Sequence, residues 1–138
     1  LVSVEIKRHQ TSITLQLCNE LPELVANAVQ LEQVVLNFIR NGLDAMENVD
    51  PDKRELIITT DKNDEKVTLS VTDNGGGILP EAEPKLFDAF YTTKSEGMGI
   101  GLSISRSIIE AHHGVIYSKN FAYRGARFSF ELQINDES

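Results

Sequence analysis

The stretch from Val71 to Leu102, VTDNGGGILPEAEPKLFDAFYTTKSEGMGIGL, carries two glycine clusters on either side of a variable loop. Glycine is used where a backbone must adopt positive φ or approach a ligand closely. The first cluster, Gly75 to Gly77, follows the alternating run from Val67 to Thr72 and so stands at a strand end. The second, Gly97, Gly99 and Gly101, opens an amphipathic helix. A glycine-rich turn feeding a helix N-terminus offers unpaired N–H groups and a favourable dipole to an anion, most often a phosphate. A phosphate-containing ligand is therefore the first expectation.

Upstream, Leu31 to Val49, LEQVVLNFIRNGLDAMENV, is the strongest helical pattern in the chain. Wound at about 100° per residue, Leu31, Val34, Val35, Phe38, Ile39, Gly42, Ala45, Met46 and Val49 share one broad face, which reads as core. Gln33, Asn37, Asn41, Asp44 and Asn48 form a narrower polar stripe about 130° away. The stripe lacks the long Lys and Glu side chains of a solvated helix. Two Asn at i and i+4 beside a carboxylate read as ligand-facing, because amide oxygens are neutral hard ligands that Mg²⁺ accepts once substrate phosphates hold it.

The remaining segments build outward from these two. Thr11 to Leu17 alternates and is rich in β-branched residues, which predicts a strand. Glu55 to Asp61 and Lys66 to Thr72 read as a hairpin around Lys62-Asn-Asp-Glu, the second strand delivering Asp73 to the first glycine cluster. Lys85 to Phe90, KLFDAF, has helical spacing over two turns, and the patternless Tyr91 to Met98 is a candidate lid. Gly101 to His113 is a second long helix, with Leu102, Ile104, Ile108, Ile109 and Ala111 on its apolar side and Gly114 stopping it. His112 and His113 sit in its last turn, where a cation is favoured, so both read as structural; His9 reads as a solvated boundary residue. Val115 to Ser118 and Ala126 to Ile134 close the chain as strands. Mixed elements without strict βαβ alternation predict an α+β two-layer domain.

The 138 residues, 41% apolar, suffice for one domain and are short for two. A net charge of −8 disfavours nucleic acid and anionic membrane surfaces, which select clustered Lys and Arg. The lone Cys18 cannot form an internal disulfide and fits a reducing cytoplasm. No apolar run approaches a membrane span and no signal peptide is visible. A start at Leu1 instead of Met reads as a piece of something longer.

Four segments carry a family resemblance. NFIRNGLDAM resembles the N box, DNGGGI the G1 box, LFDAF the F box and GMGIGL the G2 box of the ATP-binding catalytic domain of bacterial two-component sensor histidine kinases, in the superfamily that also holds gyrase B, Hsp90 and MutL. The resemblance runs from about Val4 to Ile134 and implies the Bergerat fold, a mixed, mostly antiparallel sheet of about five strands backed by three helices. It implies cofactors ATP and Mg²⁺, and an ATP-dependent protein histidine kinase. By this resemblance Asp73 accepts a hydrogen bond from the adenine amino group, a donor suited to an acceptor-only carboxylate. Gly75, Gly77 and Ile78 follow the base. Asn41, and Asn37 with it, serve Mg²⁺ and the phosphates, with Asp44 on the same stripe. Lys94 is the cation for the phosphates, and Thr93, Gly97, Met98, Gly99, Ile100, Gly101 and Leu102 complete the nucleotide site. Phe87 and Phe90 anchor the lid.

Hydrolytic members of the superfamily typically carry a glutamate base four residues before the N-box asparagine; Asn37 stands there instead. An amide cannot take a proton, which favours transfer to a histidine over hydrolysis by water. None of the three histidines lies in an H-box context, so the resemblance implies the catalytic half alone, with a histidine-bearing dimerisation domain and a downstream response regulator as partners. Two alternatives stay open at this level: a hydrolytic ATPase, and an anti-sigma-type kinase or binding module.

Overall fold

A computed structural model of the chain describes residues 12–16, 27–76, 98–121 and 125–134, with the backbone path alone for 12–16 and 98–101. Its strands are β1 (Ser12–Gln16), β2 (Glu55–Lys62), β3 (Lys66–Asp73), β4 (Val115–Asn120) and β5 (Ala126–Gln133). The helices are α1 (Ala28–Ala45) and α2 (Met98–Ala111), with a 3₁₀ turn at Pro51–Lys53. The sheet runs β1-β2-β3-β5-β4. Among the described strands only β1 and β2 are parallel.

Asn63 makes the β2–β3 turn. Its backbone N–H donates to the Lys66 carbonyl at 3.0 Å, while its side-chain oxygen accepts from the N–H groups of Glu65 and Lys66. This is local Asx chemistry of the kind that makes Asn a turn former. Alternation then sends Leu56, Ile58, Val67 and Val71 to one face with Phe128, Phe130 and Leu132. Both helices cover that face: Phe38 of α1 stacks on Phe128 at 5.7 Å, and Leu102, Ile108 and Ile109 of α2 join the same core. The opposite face carries a polar ladder. Lys66 Nζ and the Tyr117 hydroxyl donate to Glu131, the Ser70 and Ser129 hydroxyls pair at 2.8 Å, and Arg127 donates to Thr72. One apolar and one polar face give the two-layer α+β architecture.

Several boundaries differ from the sequence-based expectation. Helix α1 begins before Leu31 because Asn27 caps it, accepting from Gln30 N at 3.0 Å, and it ends at Ala45. Arg54 then satisfies two carbonyls beyond its end, donating to Glu47 O and Val49 O. Helix α2 starts at Met98, so Met98, Gly99 and Ile100 are helical, three residues ahead of the start at Gly101 that the pattern predicts. The stop of α2 is also different: His113, at φ 62°, takes the left-handed position, and Gly114 N donates to Ile109 O. Gly114 is needed for space, since a Cβ there would stand 2.3 Å from Glu131 O. Ile104 and Ala111, expected on the apolar side of α2, are exposed. The segment expected as a third helix, 85–90, lies outside the described residues. Among those described, no helix is long and apolar enough to cross a membrane.

Substitution at two glycines separates space from flexibility. Gly114→Ala is expected to cost about 1–3 kcal/mol through overpacking against a carbonyl. Gly76, where an added Cβ meets nothing within 4 Å, should tolerate Ala with a change within about 0.5 kcal/mol. Urea unfolding of the two variants checks the contrast.

Candidate functional site

Strand β3 ends on Asp73, only 3% exposed although it carries a carboxyl group. Its Oδ1 accepts from Gly75 N at 2.8 Å, and the backbone of Ala126 supplies a second bond. Those bonds favour the charged form, but burial outweighs them and lifts the acid from 3.8 to about 6. Three glycines make the burial possible. A Cβ on Gly42 would lie 2.7 Å from Leu56 and 3.4 Å from Asp73 Cβ, so α1 crosses the strand end at a distance only glycine permits. One on Gly75 would meet Ala45 O at 2.3 Å. Gly125, at φ 114°, would strike Asp73 O. Asn74 ties the following turn down, its oxygen accepting from Glu55 N and its Nδ2 donating to Lys53 O at 2.8 Å.

The α1 amides belong to the helix whose Gly42 meets Asp73. Asn41, adjacent to Gly42, is 7% exposed, and its Nδ2 is buried with no hydrogen-bond partner among the described residues. An orphaned buried donor costs about 1–3 kcal/mol, so a ligand oxygen arriving there recovers a deficit built into the fold. Asn37, one turn earlier, is engaged: its Nδ2 donates to Ser105 Oγ on α2 at 3.0 Å. That bond ties the amide nitrogen of Asn37 to the second helix; its carbonyl oxygen is the atom that the metal role would use. Asp44 is half-buried on the same stripe. A single amide with phosphate oxygens and water is an adequate donor set for Mg²⁺, which keeps several waters and binds through few protein groups. No cluster of three or more acidic, His or Cys side chains able to hold a metal by itself occurs among the described residues.

At the seam between α1 and β3, Asp73 and Gly75 thus lie against Gly42 and Ala45, with Asn41 and Asp44 the chain neighbours of those two α1 residues. Gly99 and Gly101 lie in the first turn of α2 with Met98 and Ile100, while Leu102 is 4% exposed within the core. Gly77, Ile78, Phe87, Thr93, Lys94 and Gly97 lie outside the described residues, as does Phe90. His112 is structural, as expected: its Nδ1 bonds the Ile108 carbonyl at 2.8 Å and its Nε2 accepts from Asn27 N at 3.0 Å. Sequence reasoning missed Gly42 as the crossing point, Gly125, Asn74 and Ser105. Only Asn74, an Asn in a Gly-rich turn, carried a usable local signal.

Residues 26–136 match the family described as histidine kinase-, DNA gyrase B-, and HSP90-like ATPase. The chain belongs to this family. Within it the catalytic domains of sensor histidine kinases are close relatives. The sensor protein FixL of Bradyrhizobium diazoefficiens is 45% identical over 116 residues, covering 83% of this chain and 23% of that protein. The chain thus spans about a quarter of the length of this curated relative. The solved catalytic domain of the histidine kinase ThkA is 33% identical, covering 95% of this chain and 84% of that one, at a TM-score of 0.81. Full-length ShkA in complex with AMPPNP is 25% identical at a TM-score of 0.78, covering 99% of this chain and 29% of that one. This chain is an ATP-binding catalytic domain of the histidine-kinase type, and its α+β sheet is the one those domains share.

The buried acid gives this kinase-type domain a pH signature. Unfolded, Asp73 titrates at 3.8, and folded at about 6. Below pH 3.8 it is protonated in both states; between the two values the folded state holds the extra proton, so stability falls as pH rises and the loss is complete above pH 6. The difference amounts to about 2–3 kcal/mol. Urea unfolding from pH 4 to 7 should show this decline in the wild type and a shallower one in Asp73→Asn.

Proposed function

We propose that this chain binds Mg-ATP at the α1–β3 seam and donates the γ-phosphoryl group to a histidine on a separate dimerisation domain, for onward transfer to a response regulator. The observation that carries the reading is the pairing of a buried, unneutralised acceptor, Asp73, with a buried, unpartnered donor, Asn41 Nδ2, on adjacent elements. Adenine brings an amino donor for the first, and a triphosphate brings acceptor oxygens for the second. Guanine presents a carbonyl where adenine presents the amino group, and a carboxylate repels it.

Each group then has a task. Asp73 orients the base once ionised. Gly99 and Gly101 lie where the N-terminal turn of α2 offers backbone N–H groups and its dipole to the phosphates. Asn41 contacts the phosphates and would hold the cation, with Lys94 as the further positive group carried over from the family pattern. A Mg²⁺ ion bound there supplies neutralisation of the β- and γ-phosphate charge. Phosphoryl transfer then depends mainly on positioning and electrostatics, and an imidazole acceptor brings its own nucleophilic nitrogen. Hydrolysis lacks a base, because Asn37 replaces the acid that would activate water and is held by Ser105. The chain's own His112 is no acceptor: both ring nitrogens are engaged, and it stands about 16 Å along α2 from Gly101.

Calorimetry should show Mg-ATP and Mg-ADP binding with clear preference over GTP. Asp73→Asn should weaken ATP by about 1–3 kcal/mol. Wild-type affinity should fall as pH drops below about 6, where the acceptor is protonated. Equal affinity for ATP and GTP would overturn the base-recognition assignment. Radiolabelled ATP should leave the 138-residue chain unlabelled. A histidine-bearing dimerisation domain added separately should acquire an acid-labile, alkali-stable phosphoryl group, abolished by Asn41→Ala. Rapid phosphate release without an acceptor would favour the hydrolytic reading instead.

A further inference from the structure

Wound at about 100° per residue, Ser105 falls midway between Ile108 and Leu102 on the buried side of α2, with Ile109 alongside. It is 0% exposed, a hydroxyl at the centre of an otherwise apolar face. Its partner there is the Asn37 amide of α1, at 3.0 Å. A second polar tie joins the same helices, from Asn27 N–H to His112 Nε2 at 3.0 Å. Residue 27 thus pairs with 112 and residue 37 with 105, so α1 and α2 run antiparallel.

The two ties fix an axial register. From Asn37 the chain advances four residues to Asn41, about 6 Å along α1. From Ser105 it goes back four residues to Gly101, about 6 Å along α2 in the same direction. Asn41 is thereby carried level with the first turn of α2, the turn that contains Gly99 and Gly101. Leu102, Ile108 and Ile109 contribute burial, but apolar contact is non-directional and tolerates sliding and rotation. Hydrogen bonds with fixed geometry are what select one register among several of similar burial.

We propose that Ser105 is a positioning residue for phosphate binding: its bond to Asn37 sets the rotation and axial register of α2 on α1, and so the place of the α2 N–H groups relative to the Asn41 amide. The proposal rests on the nucleotide reading above and adds to it a division of labour. The adenine end is built by β3 and α1 around Asp73 and does not depend on α2. The phosphate end depends on the α1–α2 register.

The test uses two ligands on the 138-residue chain: adenosine, followed by chemical-shift titration, and Mg-AMPPNP, followed by calorimetry. Ser105→Ala should leave adenosine affinity unchanged and weaken Mg-AMPPNP about ten-fold, as expected when one directional bond that holds the α2 N–H groups in register is lost. Ser105→Thr, which keeps the hydroxyl, should recover most of the loss. Asn37→Ala combined with Ser105→Ala should be no worse than the more severe single variant, since both remove one bond. A Ser105→Ala protein with lower unfolding stability but unchanged affinity for both ligands, or with both affinities reduced alike, would overturn the proposal and leave Ser105 a packing residue. Failure of the wild type to bind Mg-AMPPNP at all would overturn the nucleotide reading itself, a separate result.

Discussion

The carboxyl group of Asp73 is buried where Gly42 of α1 crosses the end of β3, and the approach is close because residue 42 has no side chain. Removing a carboxylate from water is costly, and two backbone bonds offset only part of the cost, as the rise of its titration to about 6 records. A core selected for stability alone would carry an apolar residue at this strand end. The penalty has a use if a donor from outside the protein completes the site. Asn41, one residue from Gly42, has the complementary deficit, a buried donor without an acceptor. An acceptor and a donor left open on one seam form a polar template for a ligand carrying both an amino group and anionic oxygens.

Helix α1 therefore has two neighbours of different chemistry. Toward the sheet it presents Phe38 to Phe128 and Phe130, an aromatic contact that anchors the helix by area. Toward α2 it presents Asn37 and, at its cap, the Asn27 N–H, which orient by direction. Stability and site geometry share this one element. Changes on its sheet side should read out in unfolding, and changes on its α2 side in phosphate affinity, a separation consistent with the strain that functional sites store at a cost in stability.

Much of the architecture was legible in local patterns. Alternation located the β-branched and aromatic strands, with errors of a residue or two at their ends, because period-two burial is a local property of each strand. The amide stripe on α1 was visible, but its surroundings were not. Residue type and spacing mark Asn37 and Asn41 as polar positions of one helix, but do not show that the Asn37 amide nitrogen meets Ser105 across a helix interface. Leu43, outside the expected apolar face, is fully buried because α1 is covered from two directions, so its apolar arc is wider than a helix on a sheet requires. Ile104 errs the other way: it has apolar character but lies at the edge of the α2 contact and is exposed.

From the residues alone came the α+β class, the strand that carries Asp73, the glycine clusters that resemble the G1 and G2 boxes, and the amide at position 37. Each of these is carried by residue type and spacing along the chain. The tertiary structure decided which glycines are required by space, since the neighbours of Gly42, Gly114 and Gly125 come from segments distant in sequence. It also decided that burial lifts the Asp73 carboxyl to about 6 and that Ser105 pairs with Asn37, although a serine on a helix has nothing local to distinguish it. Burial, desolvation and hydrogen-bond partnership arise from pairs such as 37 with 105 and 27 with 112, and such pairs exist only once the helices have docked.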